Sequence, residues 1–289
     1  MLSYRHAFHA GNHADVLKHL ILIEIAEYMA EKPAPFWIID THAGAGRYAL
    51  ESAYATKLAE FRDGVARLWE AKGLPKAALN YLDFVKMLNP DGQLRHYPGS
   101  PWLARQLLRD SDRLRLYEMH TTDGKLLHDC FRGSGREVAI TDGDGFVGLK
   151  AILPPPPRRA LVLSDPSYET KGDYSAVVKA LQDALKRFAT GTYLVWHPML
   201  PTIEANQLPG KLKKLAASHW LHATLRVRAP AAKGRGMHGS GMFVINPPWT
   251  LAAMLEQCLP WLAGTLALDQ GAGWQVTLAA ETPAQQHRD

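Results

Sequence analysis

The sequence predicts an α/β protein in which an open, mostly parallel sheet is covered by helices. Three observations predict it. Short apolar strands alternate with helical segments over residues 36–49 and 113–250, four of those strands run into an acidic residue, and a glycine-bearing turn follows the first of them. Residues 50–97 carry helical periodicity without a strand signal, so they read as a small helical insertion. The expected organisation is one sheet domain from 1–49 and 98–289, interrupted by a subdomain over 50–97.

The elements follow in order. Asn12, with Asp15 three residues on, opens a helix over about 15–29 in the manner of a capping box, and Pro33 and Pro35 end it. Phe36-Trp37-Ile38-Ile39 is a strand leading to Asp40, and Gly44 and Gly46 follow in a turn. Leu58, Phe61, Val65 and Leu68, then Leu79, Leu82 and Val85, recur at spacings of three and four, the mark of two amphipathic helices. Ser100 is the expected N-cap of the next helix, with Pro101 at its first position. Strands come at 114–117 ending at Glu118, at 138–140 ending near Asp142 and Asp144, and at 161–163 ending at Asp165. A helix over about 174–188, a strand at 193–196 and a basic helix around 211–215 come next. Two last strands, near 221–227 and 242–245, are joined by a Gly-rich basic loop and pair as an antiparallel hairpin.

Composition narrows the class of function. Hydrophobic residues at 47% and charged residues at 21% exclude disordered, collagen-like and coiled-coil chains. The aliphatic run 20–23 is broken by Glu24, far short of a membrane span, and the first fifteen residues have no apolar signal-peptide core, so a cytoplasmic protein is expected. Cys130 and Cys258 stand alone and support neither a disulfide framework nor a cysteine zinc site. A net charge of +5 admits an anionic partner without requiring one.

In such a sheet, residues just beyond the carboxyl ends of parallel strands converge on one crevice. Asp40, Glu118, Asp144 and Asp165 would line it. Gly44 and Gly46 permit close backbone approach and, with Ala49, match a dinucleotide fingerprint, yet the acids about twenty residues on, Glu60 and Asp63, fall in the insertion, which weakens a nicotinamide reading. An acid before the glycines and another after the second strand suit an adenosyl ligand with ribose hydroxyls. Asp165-Pro166-Ser167-Tyr168 carries the most chemistry: a carboxylate and a backbone carbonyl can take the protons of an exocyclic amine, and an aromatic ring can stack on a base flipped from its helix. The plain alternative is an Asp-Pro turn with a buried tyrosine. Asn246-Pro247-Pro248-Trp249 fits an Asn-Pro-Pro-aromatic pattern more literally, but it follows an antiparallel strand whose end points to the opposite edge, so it is read as structural.

Taken together, Leu2-Ser3-Tyr4-Arg5-His6, residues 8–20 (FHAGNHADVLKHL), 40–48 (DTHAGAGRY), 97–101 (YPGSP), 165–169, 188–193 (FATGTY) and 241–249 resemble the ribosomal RNA large subunit methyltransferase J family. The resemblance implies a class I S-adenosylmethionine-dependent methyltransferase fold, Rossmann-like, with a mostly parallel seven-stranded sheet and a small helical insertion. It also implies methylation at N6 of one adenine, position 2030, in 23S rRNA. Carried onto matching positions, it implies cofactor contacts from Lys18, His19, His42, Ser100, Glu118, Asp144 and Gly145, beside Asp40, Gly44 and Gly46 from the reading above. Asp165 would be the catalytic acid, helped by Pro166 and Tyr168, and Tyr4 would meet the RNA. The family motif is Asp-Pro-Pro-Tyr, and this chain has Ser167 at its third position, which removes the fixed φ of proline.

Among the basic residues, Lys233 and Arg235 in the Gly-rich loop are the better candidates for RNA phosphate. His6, His9, His13 and His19 have helical spacings but no carboxylate or thiolate to complete a metal site, so no metal is expected. The expected partner is free or early-assembly 23S rRNA, bound by a monomer. Rival readings are a DNA adenine or cytosine-N4 methyltransferase, a nicotinamide dehydrogenase, and an RNA-binding protein weakened by Ser167.

Overall fold

The computed structural model describes residues 5–216, 218–231 and 236–279. Tyr4, Lys233 and Arg235 lie outside the described residues. Among the described residues no helix is long and apolar enough to cross a membrane.

The main sheet is built from β1 (Trp37–Asp40), β4 (Arg113–Glu118), β5 (Val138–Asp142), β6 (Ala160–Ser164), β7 (Thr192–Met199), β8 (Trp220–Arg226), β9 (Gly239–Ile245) and β10 (Gly273–Leu278). Its order is β10-β8-β9-β7-β6-β1-β4-β5. β1 pairs parallel with β4 and β6, β4 with β5, and β6 with β7, whereas β9 runs antiparallel between β7 and β8. β6 is buried along its whole length, as expected for a central parallel strand covered on both faces. Among the described residues the sheet has eight strands, one more than expected. The extra strand, β10, pairs antiparallel with β8 at the edge and is half exposed, so its sequence lacks the apolar run that marks the inner strands.

Two helical layers cover the sheet. One face carries α7 (Gly145–Ile152), α8 (Lys171–Arg187) and α9 (Ile203–Ala216), packed on Val162, Val195 and Phe243. The other carries α1 (His13–Ala30), α5 (Ser100–Leu107), α6 (Thr121–Cys130) and α10 (Leu251–Thr265). α1 is buried on almost every side, which explains why its apolar residues show no single stripe. It starts at His13 rather than near Asp15. The Asn12 side chain accepts from Ala14 N at 2.9 Å and Asp15 N at 3.1 Å, but Asp15 turns its carboxylate to Gly11 N at 2.8 Å instead of back to the cap.

The segment read as purely helical contains α2 (Ala53–Leu58), α3 (Val65–Trp69) and α4 (Lys76–Met87), and its base is closed by a short antiparallel pair, β2 (Arg47–Ala49) with β3 (His96–Pro98). Tyr81, Leu82 and Val85 of α4 join the same apolar cluster as Leu17, Leu20 and Ile21 of α1. A buried hydroxyl chain ties the insertion to α1: Tyr81 Oη lies 2.9 Å from Tyr97 Oη, which lies 2.9 Å from His19 Nδ1.

Candidate active site

The parallel strands β1, β4, β5 and β6 deliver their acids to one edge of the sheet, beside the point where the chain order turns from β1 to β6. A cavity opens there with about 860 Å³ of space up to its mouth, within the range of small-molecule sites. Lys18, His19, His42, Gly44, Ser100, Glu118, Asp144, Gly145 and Asp165 line it, as do Met119 and His120. Two expected contacts do not reach the wall. Asp40 lies beneath it, 1% exposed, and Gly46 faces away toward Cys130.

Each strand end is locally organised. Glu118 receives Gly44 N–H at 2.7 Å on one oxygen and His120 N–H at 2.6 Å on the other, so the carboxylate is held flat across the turn with lone pairs to spare. Burial raises its pKa, partly offset by those two amides. Gly44 adopts φ +63, which only glycine takes without strain, and this aims its amide at Glu118. Asp144 caps α7 by accepting from Phe146 N at 2.8 Å with one oxygen, and its other oxygen has no hydrogen bond among the described residues. Ser100 is not an N-cap: Gly99 holds that position, and the Ser100 hydroxyl donates to Asp40 Oδ2 at 2.7 Å. Burial lowers His42 to about 4 and His19 to about 3, so both rings are neutral at pH 7.

Asp40 is the sheet-end acid with a functional cost that can be measured. Its Oδ1 accepts from His42 N at 3.1 Å and its Oδ2 from Ser100, yet burial dominates and raises its pKa to about 6. The folded state therefore holds this proton more tightly than the unfolded chain, whose value is about 4. Stability from this group is present below about pH 4 and is lost as the pH rises through about 6. Asp40→Asn is expected to raise the unfolding free energy by roughly 2–3 kcal/mol at pH 7 and to change nothing at pH 4. Urea denaturation at both pH values checks this, and equal stabilities at pH 7 would contradict it.

A second cavity, about 1360 Å³ with its mouth, lies on the other side of Asp165. Tyr168, Trp196, Pro198, His13 and Met237 are on its wall. His6, Lys18, Asp165 and Ser167 line both cavities, so these residues form the partition between them. Tyr168 has φ +52 and donates its hydroxyl to Trp196 O at 2.7 Å, which locks the ring into the wall with only 7% of the residue exposed. Pro166 has little exposed surface and lines the first cavity. Lys18, 4% exposed, places Nζ 2.5 Å from Asp165 Oδ2 and 2.8 Å from Asp15 Oδ1. The two carboxylates outweigh burial and raise its pKa.

Asn246 sits at the far edge of the sheet, where its side-chain amide donates to Ala189 O and Gly191 O, both at 2.7 Å. The literal Asn-Pro-Pro-Trp match is therefore a turn that ties two loops together. Arg228 reaches the second cavity, while the expected candidates Lys233 and Arg235 lie outside the described residues. Residues the sequence reading passed over adjoin the strand-end acids directly: Met119 after Glu118, and Gly143 between Asp142 and Asp144, where nothing lies within 4 Å of the position a Cβ would take. Their adjacency to the acids was the available signal. His6 belongs both to the N-terminal string that carries the resemblance and to the histidine cluster.

The first cavity fits S-adenosylmethionine on chemical grounds. It offers a fixed carboxylate for two ribose hydroxyls at Glu118, a free carboxylate oxygen beside backbone amides for an adenine edge at Asp144, and an open glycine wall at Gly143.

Comparison with known proteins agrees. The family model described as "Ribosomal RNA large subunit methyltransferase D, RlmJ" matches residues 33–279. The chain is 47% identical over 266 residues to ribosomal RNA large subunit methyltransferase J of Escherichia coli K12, covering 92% of this chain and 94% of that one. It is 44% identical to the protein of the same name from Haemophilus influenzae, over 96% and 98% of the two chains. The crystal structure of a Legionella pneumophila protein superposes with a TM-score of 0.87 at 32% identity, covering 94% of this chain and 99% of the other. A probable spermidine synthase of Corynebacterium glutamicum, at 11% identity and a TM-score of 0.51, shares the fold alone. On the extent of these matches, the chain belongs to the ribosomal RNA large subunit methyltransferase J family.

Proposed function

We propose that the protein transfers a methyl group from S-adenosylmethionine to the exocyclic amine of one adenine in 23S rRNA, acting as a monomer in the cytoplasm on free or early-assembly rRNA. The observation that carries this reading is the partition: two separate cavities meet at a single carboxylate, Asp165. One side suits a nucleoside cofactor and the other is wide enough for a flipped nucleotide.

Bound in the first cavity, S-adenosylmethionine supplies an electrophilic methyl group on a positively charged sulfur. Glu118 and Asp144 hold the nucleoside end, and the neutral rings of His42 and His19 add no positive charge beside the sulfonium. Asp165 and the Pro166 carbonyl would accept hydrogen bonds from the two N–H groups of the target amine, drawing its lone pair out of conjugation and aiming it across the partition. The Tyr168 ring forms the surface against which the base stacks, held by its bond to Trp196 O. The Asp165 carboxylate would also be placed to take the proton that the amine gives up. With Ser167 in place of the family motif's proline, the carboxylate is held by Lys18 and the ring by Trp196 O.

Mass spectrometry of 23S rRNA from cells with and without the gene tests this. The expected result is loss of N6-methyladenosine at one position and its return on complementation. An unchanged modification pattern would overturn the reading, and methyl transfer to DNA but not to RNA would favour the DNA methyltransferase.

A further inference from the structure

We propose that Asp15 is a positioning residue for the reaction, acting through the Lys18 ammonium to set the charge and orientation of Asp165. The inference rests on the reading of Asp165 given above. Asp15 lies on the wall of the second cavity but not of the first, is 1% exposed, and is the anchor of a continuous polar chain. Its Oδ2 accepts from Gly11 N at 2.8 Å and lies 2.9 Å from His6 Nε2, so the carboxylate cannot rotate. Its Oδ1 lies 2.8 Å from Lys18 Nζ, and the same nitrogen bonds Asp165 Oδ2.

The charges explain why the second acid matters. An ammonium facing Asp165 alone would cancel its charge and occupy one oxygen, leaving a weak acceptor for the amine. Shared between two carboxylates, the same ammonium leaves the trio with one net negative charge. With Lys18 only 4% exposed, little water screens the exchange. The groups facing Asp15 come from several elements: His6 from the turn His6–Phe8, Lys18 and His19 from its own helix, and the Tyr48, Tyr81 and Tyr97 hydroxyls nearby. Of these only Lys18 also contacts Asp165.

Asp15→Asn tests the proposal, since asparagine keeps an acceptor for Gly11 N–H while removing the charge. With an rRNA fragment and labelled S-adenosylmethionine at saturation, kcat is expected to fall about tenfold while both KM values stay within about twofold. In a Lys18→Met background, followed by single-turnover assay, the same substitution should change the rate by less than about twofold. An equal fall in both backgrounds, a loss carried by either KM instead of kcat, or an unchanged kcat would each overturn the proposal. Failure of the wild-type protein to methylate the fragment would instead overturn the functional reading on which it stands.

Discussion

Asp165→Ala is expected to lower kcat by about 10²–10⁴-fold, the range typical of a residue that handles protons at the reacting centre. Cofactor affinity should change little, because Glu118 and Asp144, the residues proposed to hold the nucleoside end, are each fixed by their own backbone amides and not by Asp165. The fold should survive: Asp165 is at the cavity partition rather than in the core, and Lys18 keeps Asp15 as a partner when Asp165 is gone. Asp165→Asn should be less damaging than alanine, since one amide oxygen still accepts from the amine. Parallel measurement of single-turnover rate and S-adenosylmethionine affinity separates these effects. Full activity in the alanine variant would remove Asp165 from the mechanism.

Gly145→Ala should cost at least about 3 kcal/mol of stability, the upper end of overpacking penalties. A Cβ there would lie 2.0 Å from Thr41 O and 2.7 Å from Thr41 C and Cα, all backbone atoms. Thr41 cannot retreat, because its N–H and its hydroxyl both bond Leu163 O, at 3.0 and 3.1 Å. The first turn of α7 would have to lift away from β1, taking the Asp144 cap with it, so cofactor binding should fall as well. Gly143→Ala is the internal control: nothing lies within 4 Å of its Cβ position, so stability should be unchanged. Thermal and urea midpoints measured side by side decide the matter, and equal midpoints for the two variants would refute the contact. The resemblance implied that Gly145 contacts cofactor. The structure adds a packing reason for the same residue, namely that the helix start is pressed onto the end of β1.

Much of the candidate site was legible because each parallel strand ends in an acid. Once the strands are known to be parallel, their ends must share one edge, so Glu118, Asp144 and Asp165 converge without further information. The same logic separated Asp165 from Asn246, since β9 runs the opposite way and delivers Asn246 to the far edge. β10 escaped notice because an exposed edge strand needs no apolar alternation, and Ser100 was mistaken for a cap because its true partner, Asp40, is sixty residues away in sequence.

By itself the sequence determined the class of the fold, the order of the inner strands' acids, and, through its N-terminal string and its Asp-Pro-Ser-Tyr segment, the family. These are local patterns, governed by side-chain periodicity and turn chemistry within a few residues. Only the tertiary structure decided that Asp40 is a buried support rather than a wall of the cavity, that Tyr168 is locked by Trp196, and that Asp15 and Asp165 share one ammonium. Burial and charge pairing depend on which surfaces meet, and residues 15 and 165 meet only because α1 crosses the sheet beside the end of β6.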